Sequence, residues 1–385
     1  MSVTAPDGFV AAGLHCGVKD TGAPDLALVA TADRKPVPAA AVFTSNLATA
    51  APVQVSRRHL EASGGQAVAV VLNSGNANAA TGDAGRSDAE RMCELVAQHL
   101  GCAPEHVLVC STGLIGIPLP MPAIESGIPG LVAALSPDGG VDAAEAIRTT
   151  DTVRKEVVVR DTAVTVGGMA KGAAMLAPNM ATMLAVLTTD GGAEPGDLRT
   201  DLQRSVLETF NTLSVDGCTS TNDTVIVLAS GRARSASDLT HSLTQACDSL
   251  ARQMAADAEG ATKTVRVLVT GARSDDEARQ AARKVAESQL VKCSLYGVDP
   301  YWGRIVSELG SAGVAFDPDL VQVTYGDVVV CAKGVAADHD ADAVLAHLQA
   351  RDVDIVCDLG LGQGTGSILT NDLTHAYIDE NMRTS

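Results

Sequence analysis

Three uninterrupted runs of small aliphatic residues constrain this chain most: Gln66–Leu72 (QAVAVVL), Thr182–Leu187 (TMLAVL) and Thr224–Ala229 (TVIVLA). Each has strand length and β-branched content. None alternates polar with apolar, so each reads as a strand buried on both faces. Aromatic residues make up only 2% of the 385, so the core around these strands must be packed from Ala, Val, Leu and Gly rather than from rings. Helical patterns lie between the runs. One is expected from Asp88 to Leu100, with Ser87 and Glu90 at capping-box spacing and Gly101 as its stop. Others are expected through Leu198, Leu202, Val206, Phe210 and Leu213, from Asp238 to Asp257, from Asp276 to Gln289, and from Ala341 to Arg351. Residues 1–60 read as short extended segments, and 153–166 as a hairpin with Lys155 as polar punctuation. The chain is therefore mixed α and β. A second α/β series begins near residue 263, which predicts domains over 1–262 and 263–385.

Charge and cysteine usage exclude several classes. Twenty-eight Lys+Arg against 46 Asp+Glu give a net charge of −18, without the basic stripes and interleaved aromatics that hold nucleic acid. The nine cysteines have no C-x-x-C spacing, and no histidine pair has metal-ligand spacing, so no disulfide framework or zinc site is expected. The start lacks a signal-peptide pattern and no run is long enough to span a bilayer; the expected location is cytoplasmic. Gly360–Gly366 lacks the Lys-Ser/Thr ending of a phosphate loop and reads as a tight backbone crossing.

The unusual chemistry is at Ala181-Thr182. A mid-chain threonine hydroxyl is a poor nucleophile. If the preceding peptide bond is cut, the new α-amine, with a pKa near ~8, is a base within the same residue. Taken alone, a threonine that opens a buried strand is ordinarily structural.

The segment Lys171-Gly-Ala-Ala-Met-Leu-Ala-Pro-Asn-Met-Ala-Thr182-Met-Leu resembles the self-cleavage signature of the ornithine acetyltransferase (ArgJ) family. Further blocks match in order: Phe43–Asn46 with Ala51-Pro52-Val53, Asn73–Asn78, Ser111-Thr112-Gly113, Thr149–Thr152, Ser214–Gly217 with Ser220–Thr224, Glu259–Lys263, and Tyr296–Pro300 with Trp302-Gly303-Arg304. The resemblance implies an Ntn-like αββα layered sandwich with a C-terminal α/β domain. It also implies cleavage into chains 1–181 and 182–385, paired as α₂β₂. The implied activity is acetyl transfer from N-acetyl-L-ornithine to L-glutamate by a ping-pong mechanism that requires no metal or organic cofactor, with ornithine and N-acetylglutamate as products. Thr182 is the implied nucleophile, and Thr112 and Gly113 the oxyanion hole. Thr149 (or its neighbour Thr150), Lys171, Thr182, Glu259, Asn381 and Ser385 are the implied substrate contacts, with Lys171 suited to a carboxylate and Glu259 to an ammonium. The chain departs from the family at Tyr301 and at Ser367–Thr374, and ends four residues after Asn381. An amidase or aminopeptidase using the same nucleophile, and a non-catalytic metabolite-binding relative, are the alternatives. Whether acetyl-CoA also donates is left open by the sequence.

Overall fold

The computed structural model describes residues 2–175, 183–233 and 239–382, in two compact units. The first comprises residues up to Asn211 together with Thr219–Met254; the second comprises Thr212–Cys218 and Ala255–Thr384. Ala181, Thr182 and Ser385 lie outside the described residues.

The first unit contains two sheets. The four-stranded sheet has the order β1-β2-β5-β6, from β1 (Phe9–Leu14), β2 (Leu26–Thr31), β5 (Ala69–Asn76) and β6 (Val107–Leu114). The six-stranded sheet has the order β4-β3-β10-β9-β8-β7, from β3 (Val37–Phe43), β4 (Gln66–Ala67), β7 (Lys155–Arg160), β8 (Thr165–Lys171), β9 (Leu184–Thr189) and β10 (Thr224–Ala229). The run expected as one strand over Gln66–Leu72 is split at Val68 between β4 and β5, which belong to different sheets, and the other two runs supply β9 and β10. β9 and β10 pair in parallel, Leu184 opposite Thr224.

Strand alternation explains why these runs carry no polar face. Leu184, Val186, Ile226 and Leu228 meet Val70, Leu72, Leu108 and Cys110 of the other sheet in one core. Ala185, Leu187, Val225 and Val227, at the intervening positions, are buried as well. On that outer side α5 (Pro195–Glu208) packs on β3, and Leu250 of α6 (Leu239–Ala256) reaches toward Gly168 of β8. Beyond the four-stranded sheet, Leu26, Leu28, Val71 and Val109 pack with α1 (Ala51–Ala62), α2 (Gly82–Leu100) and α3 (Met121–Ala133). The layers are therefore helix, sheet, sheet, helix. Each Val or Leu so buried contributes about 1.5–3 kcal/mol.

Four local expectations are corrected. Ala51–Ala62 is a helix, not extended chain: Pro52 sits in its first turn, where the missing N–H costs nothing, and Val55, Ser56 and His59 form its buried face. α2 begins at Gly82, so Ser87 is interior and caps nothing; Gly101 does end it, at φ 75°. β5 does not stop at Asn73 but carries its polar residues on to Asn76. Lys155 is not surface punctuation but fully buried.

The second unit has a six-stranded sheet of order β14-β13-β12-β15-β11-β16. Its strands are β11 (Thr264–Ala272), β12 (Gln322–Tyr325), β13 (Val328–Ala332), β14 (Val335–Ala336), β15 (Asp352–Asp358) and β16 (Gly364–Asn371). The glycine-rich turn before β16 is a close crossing. A Cβ on Gly364 would lie 2.3 Å from the Ser274 backbone, at the cap of the helix Asp275–Ala286.

Candidate active site

In the first unit the site is built where β5 and β6 run side by side in parallel. Ser74 is opposite Thr112 and Gly75 opposite Gly113, with an irregularity in register at Gly75/Asn76. Thr112 is buried, and among the described residues its hydroxyl has no hydrogen-bond partner. Gly113 has φ +133°, and a Cβ there would lie 2.2 Å from the carbonyl carbon of Gly75, so no other residue fits. The two expected oxyanion donors, a hydroxyl and a backbone amide, thus stand in consecutive positions at the end of this strand.

The polar block after β5 positions these strand ends. Asn73 Oδ1 accepts the Ser111 hydroxyl at 2.6 Å, and its amide donates to Asn76 O at 2.8 Å. Ser74 donates to Ala146 O at 2.6 Å. Asn222, from the loop before β10, donates to Ala77 O at 2.6 Å and to Ser111 O at 2.9 Å. That amide ties the two sheets together one residue before Thr112. Thr44 closes the same corner, bonding Ser220 O at 2.7 Å and Asp223 O at 2.9 Å.

Asp223 Oδ1 accepts the N–H of Met183, the residue after Thr182, at 2.9 Å. Among the described residues its Oδ2 has no hydrogen-bond partner, and the side chain is wholly buried. Burial pushes this carboxyl well above the usual range, against the bond from Met183 and the attraction of Lys171. The raised value favours the protonated form of Asp223, which holds the chain at the residue after the expected nucleophile.

Lys171 and Thr149 meet at a second buried carboxylate. Asp151 Oδ1 pairs with Lys155 Nζ at 2.5 Å and accepts the Gly172 N–H at 2.7 Å. Its Oδ2 accepts the Thr149 N–H at 3.1 Å and lies 4.0 Å from Lys171 Nζ. Burial alone would raise this carboxyl, but Lys171, Lys155 and the Gly172 amide together bring it down to about 2. Arg148 braces the loop through Glu145 at 2.5 Å and the carbonyls of Asp151 and Thr152. Thr150 is exposed and Thr149 half-buried.

In the second unit Asn381 donates to Glu259 Oε2 at 2.7 Å, so two expected substrate contacts are neighbours. The matched block Glu259–Lys263 is held by residues of the segment Ser367–Thr374, where the sequence departs from the resemblance. Asp372 Oδ1 accepts the N–H groups of Thr262 at 2.9 Å and Lys263 at 3.0 Å, and its other oxygen takes the Thr262 hydroxyl. Thr374 bonds Gly260 O at 2.6 Å and Asn371 bonds Lys263 O at 2.8 Å. Tyr301, the other departure, is exposed with Arg304 over its ring. Thr182, Ala181 and Ser385 are not among the described residues.

The sequence reading missed Asp151, Asp223 and Asn222 as positioning groups. The signal for Asp151 was present: Lys155 falls in phase with the inward-facing Val157 of β7, and Asp151 precedes it by four residues. Among the described residues no group of His, Cys, Asp and Glu is placed to hold a metal, and no helix is long and apolar enough to cross a membrane. A surface groove of about 370 Å³ beside Phe43, Leu60 and Pro195 contains none of the expected site residues.

The helix, sheet, sheet, helix layers of the first unit define a layered α/β protein with polar groups gathered at its strand ends. The comparisons with known proteins give the family. The ArgJ family model matches residues 10–384, and the chain belongs to that family. It is 47% identical over 384 residues to the arginine biosynthesis bifunctional protein ArgJ of Thermobifida fusca, covering 99% of both chains. It is 48% identical over 390 residues to the ArgJ protein of Mycobacterium leprae, covering 98% of this chain and 94% of that one. Among solved structures, the ornithine acetyltransferase of Mycobacterium tuberculosis complexed with ornithine is 41% identical, with a TM-score of 0.42, covering 46% of this chain and 94% of that chain.

Proposed function

We propose that this protein is a glutamate N-acetyltransferase of arginine biosynthesis, moving acetyl from N-acetyl-L-ornithine to L-glutamate. The observation that carries the site reading is the pair at the end of β6: Thr112, a buried residue whose hydroxyl has no hydrogen-bond partner among the described residues, beside a position that only Gly113 can occupy. Full-length similarity to curated ArgJ proteins supports the activity.

Cleavage between Ala181 and Thr182 frees the Thr182 amine. That amine takes the proton of its own hydroxyl as the oxygen attacks the acetyl carbonyl. Thr112 and the Gly113 amide donate to the oxyanion, and the proton passes to the departing ornithine nitrogen. Glutamate then attacks the acetyl ester, and Thr182 recovers its proton from the incoming amine. Lys171, oriented by Asp151, holds the substrate carboxylate, with Thr149 beside it. Glu259, Asn381 and Ser385 are the further substrate contacts of this reading. The mature protein consists of residues 1–181 and 182–385 as an α₂β₂ assembly in the cytoplasm, with a catalytic domain over 1–262.

The test joins denaturing intact-mass analysis with an assay on N-acetylornithine and glutamate. Wild type is expected as two chains making N-acetylglutamate, and Thr182→Ala as one inactive chain. A single continuous polypeptide with full activity overturns the mechanism. Acetate without N-acetylglutamate overturns the acceptor.

A further inference from the structure

An enzyme that acetylates glutamate with acetyl taken from ornithine must accept an incoming amino acid whose side chain ends in a carboxylate. The departing one ends in an ammonium. Lys171 answers for the α-carboxylate that both share. The second carboxylate of glutamate needs another cation, one that is not already neutralised.

The cations around the first-unit site differ in this respect. Lys155 is sealed against Asp151 with no exposure, and Arg148 is paired to Glu145. Lys19 is the exception. Its Nζ donates to two neutral carbonyls, Pro24 O at 2.8 Å and Arg148 O at 2.7 Å, and makes no ion pair among the described residues. An ammonium has three donors, so one N–H is left for a ligand.

The backbone places that ammonium beside the proposed chemistry. Arg148 immediately precedes Thr149. The stem of Lys19 passes over Gly75, where a Cβ would lie 3.0 Å from its Cγ, and Gly75 is the register partner of Gly113. The position is rigid. Asp25, wholly buried, accepts the N–H groups of Cys16, Gly17, Val18 and Lys19 at 2.7, 3.1, 2.7 and 2.9 Å. Half-burial lowers the Lys19 pKa first, Asp25 opposes this, and the like charges of Lys171 and Arg148 lower it further. Two ammoniums that repel each other near one strand end are both relieved by an anion between them.

From this geometry we infer that Lys19 is the side-chain carboxylate receptor for the acceptor, and so sets the preference for a dicarboxylic amino acid. The inference rests on the acetyltransferase reading and adds the residue that selects its acceptor.

The experiment measures acetyl transfer from N-acetylornithine to L-glutamate and to L-glutamine, which has the same shape without the charge. It uses wild type, Lys19→Met and Lys19→Gln. The glutamine side chain keeps a donor for the two carbonyls if the methionine variant does not fold. Loss of one charge-assisted bond predicts a fall in kcat/KM for glutamate of about tenfold to a hundredfold. Glutamine and the release of ornithine from N-acetylornithine should change by no more than about twofold. Equal losses on both acceptors, or a parallel loss in ornithine release, would make Lys19 a strap for the loop and overturn the inference. Unchanged discrimination overturns it too. A wild-type protein that makes no N-acetylglutamate refutes the acetyltransferase reading itself, and is seen before any variant is made.

Discussion

Asp151→Asn is the sharpest test of how the ammonium cluster is held together. In the folded chain Asp151 and Lys155 have no exposed side-chain surface and sit 2.5 Å apart, and two backbone N–H groups share the same carboxylate. Removing one partner of a buried ion pair costs about 3–5 kcal/mol, because the other charge stays buried. Asparagine keeps one carbonyl acceptor for Gly172 or Thr149, so the lower end, about 3 kcal/mol, is expected. For a domain of this size each kcal/mol lowers Tm by roughly 2–4 °C, so the variant should melt about 6–12 °C below wild type. Adding Lys155→Met removes the buried ammonium that has lost its carboxylate and should recover about 2 kcal/mol, a coupling that a double-mutant thermal-melt cycle measures directly. The same carboxyl has its folded pKa depressed to about 2. Its stabilisation is therefore complete above the unfolded value near ~4 and is lost as pH falls from there, amounting to about 2–3 kcal/mol. An Asp151→Asn protein that melts within about 2 °C of wild type at pH 7 would refute the reasoning. So would a double variant whose loss is the plain sum of the two single losses.

Two further perturbations address the strand ends. Thr112→Val should cost about 10²–10³ in kcat with little change in KM or Tm, since its hydroxyl has no protein partner to lose among the described residues; unchanged turnover would remove it from the oxyanion site. Asp223→Asn keeps an acceptor for the Met183 N–H and removes a buried acid, so its Tm at pH 7 should equal or exceed that of wild type, whereas Asp223→Ala should lose about 1–3 kcal/mol. Because the folded pKa of Asp223 is raised, wild type should lose stability as pH climbs from the unfolded carboxyl value toward the folded one. A wild type and an Asp223→Asn variant with the same pH slope in Tm would count against a neutral Asp223.

What the sequence by itself determined follows from short-range physics and from pattern. Runs without a polar face, such as those of β9 and β10, can exist only in sheets covered on both sides, and they predicted the layered core. Gly101 ended its helix because a left-handed turn there favours glycine. The ordered family blocks carried Thr112, Gly113, Thr149, Lys171 and Glu259, while Asn381 lies outside those blocks, at the end of the helix His375–Asn381. What only the tertiary structure decided is which polar groups are satisfied, and by whom. Lys155 looked like surface punctuation because its partner has to be found in space. Asn222 lies 111 residues from the Ser111 carbonyl it bonds, and Lys19 lies 129 residues from the Arg148 carbonyl that fixes its ammonium. Apolar burial is non-directional and shows itself in local periodicity. A buried charge or amide is stable only against one particular distant partner, and folding alone brings the two together.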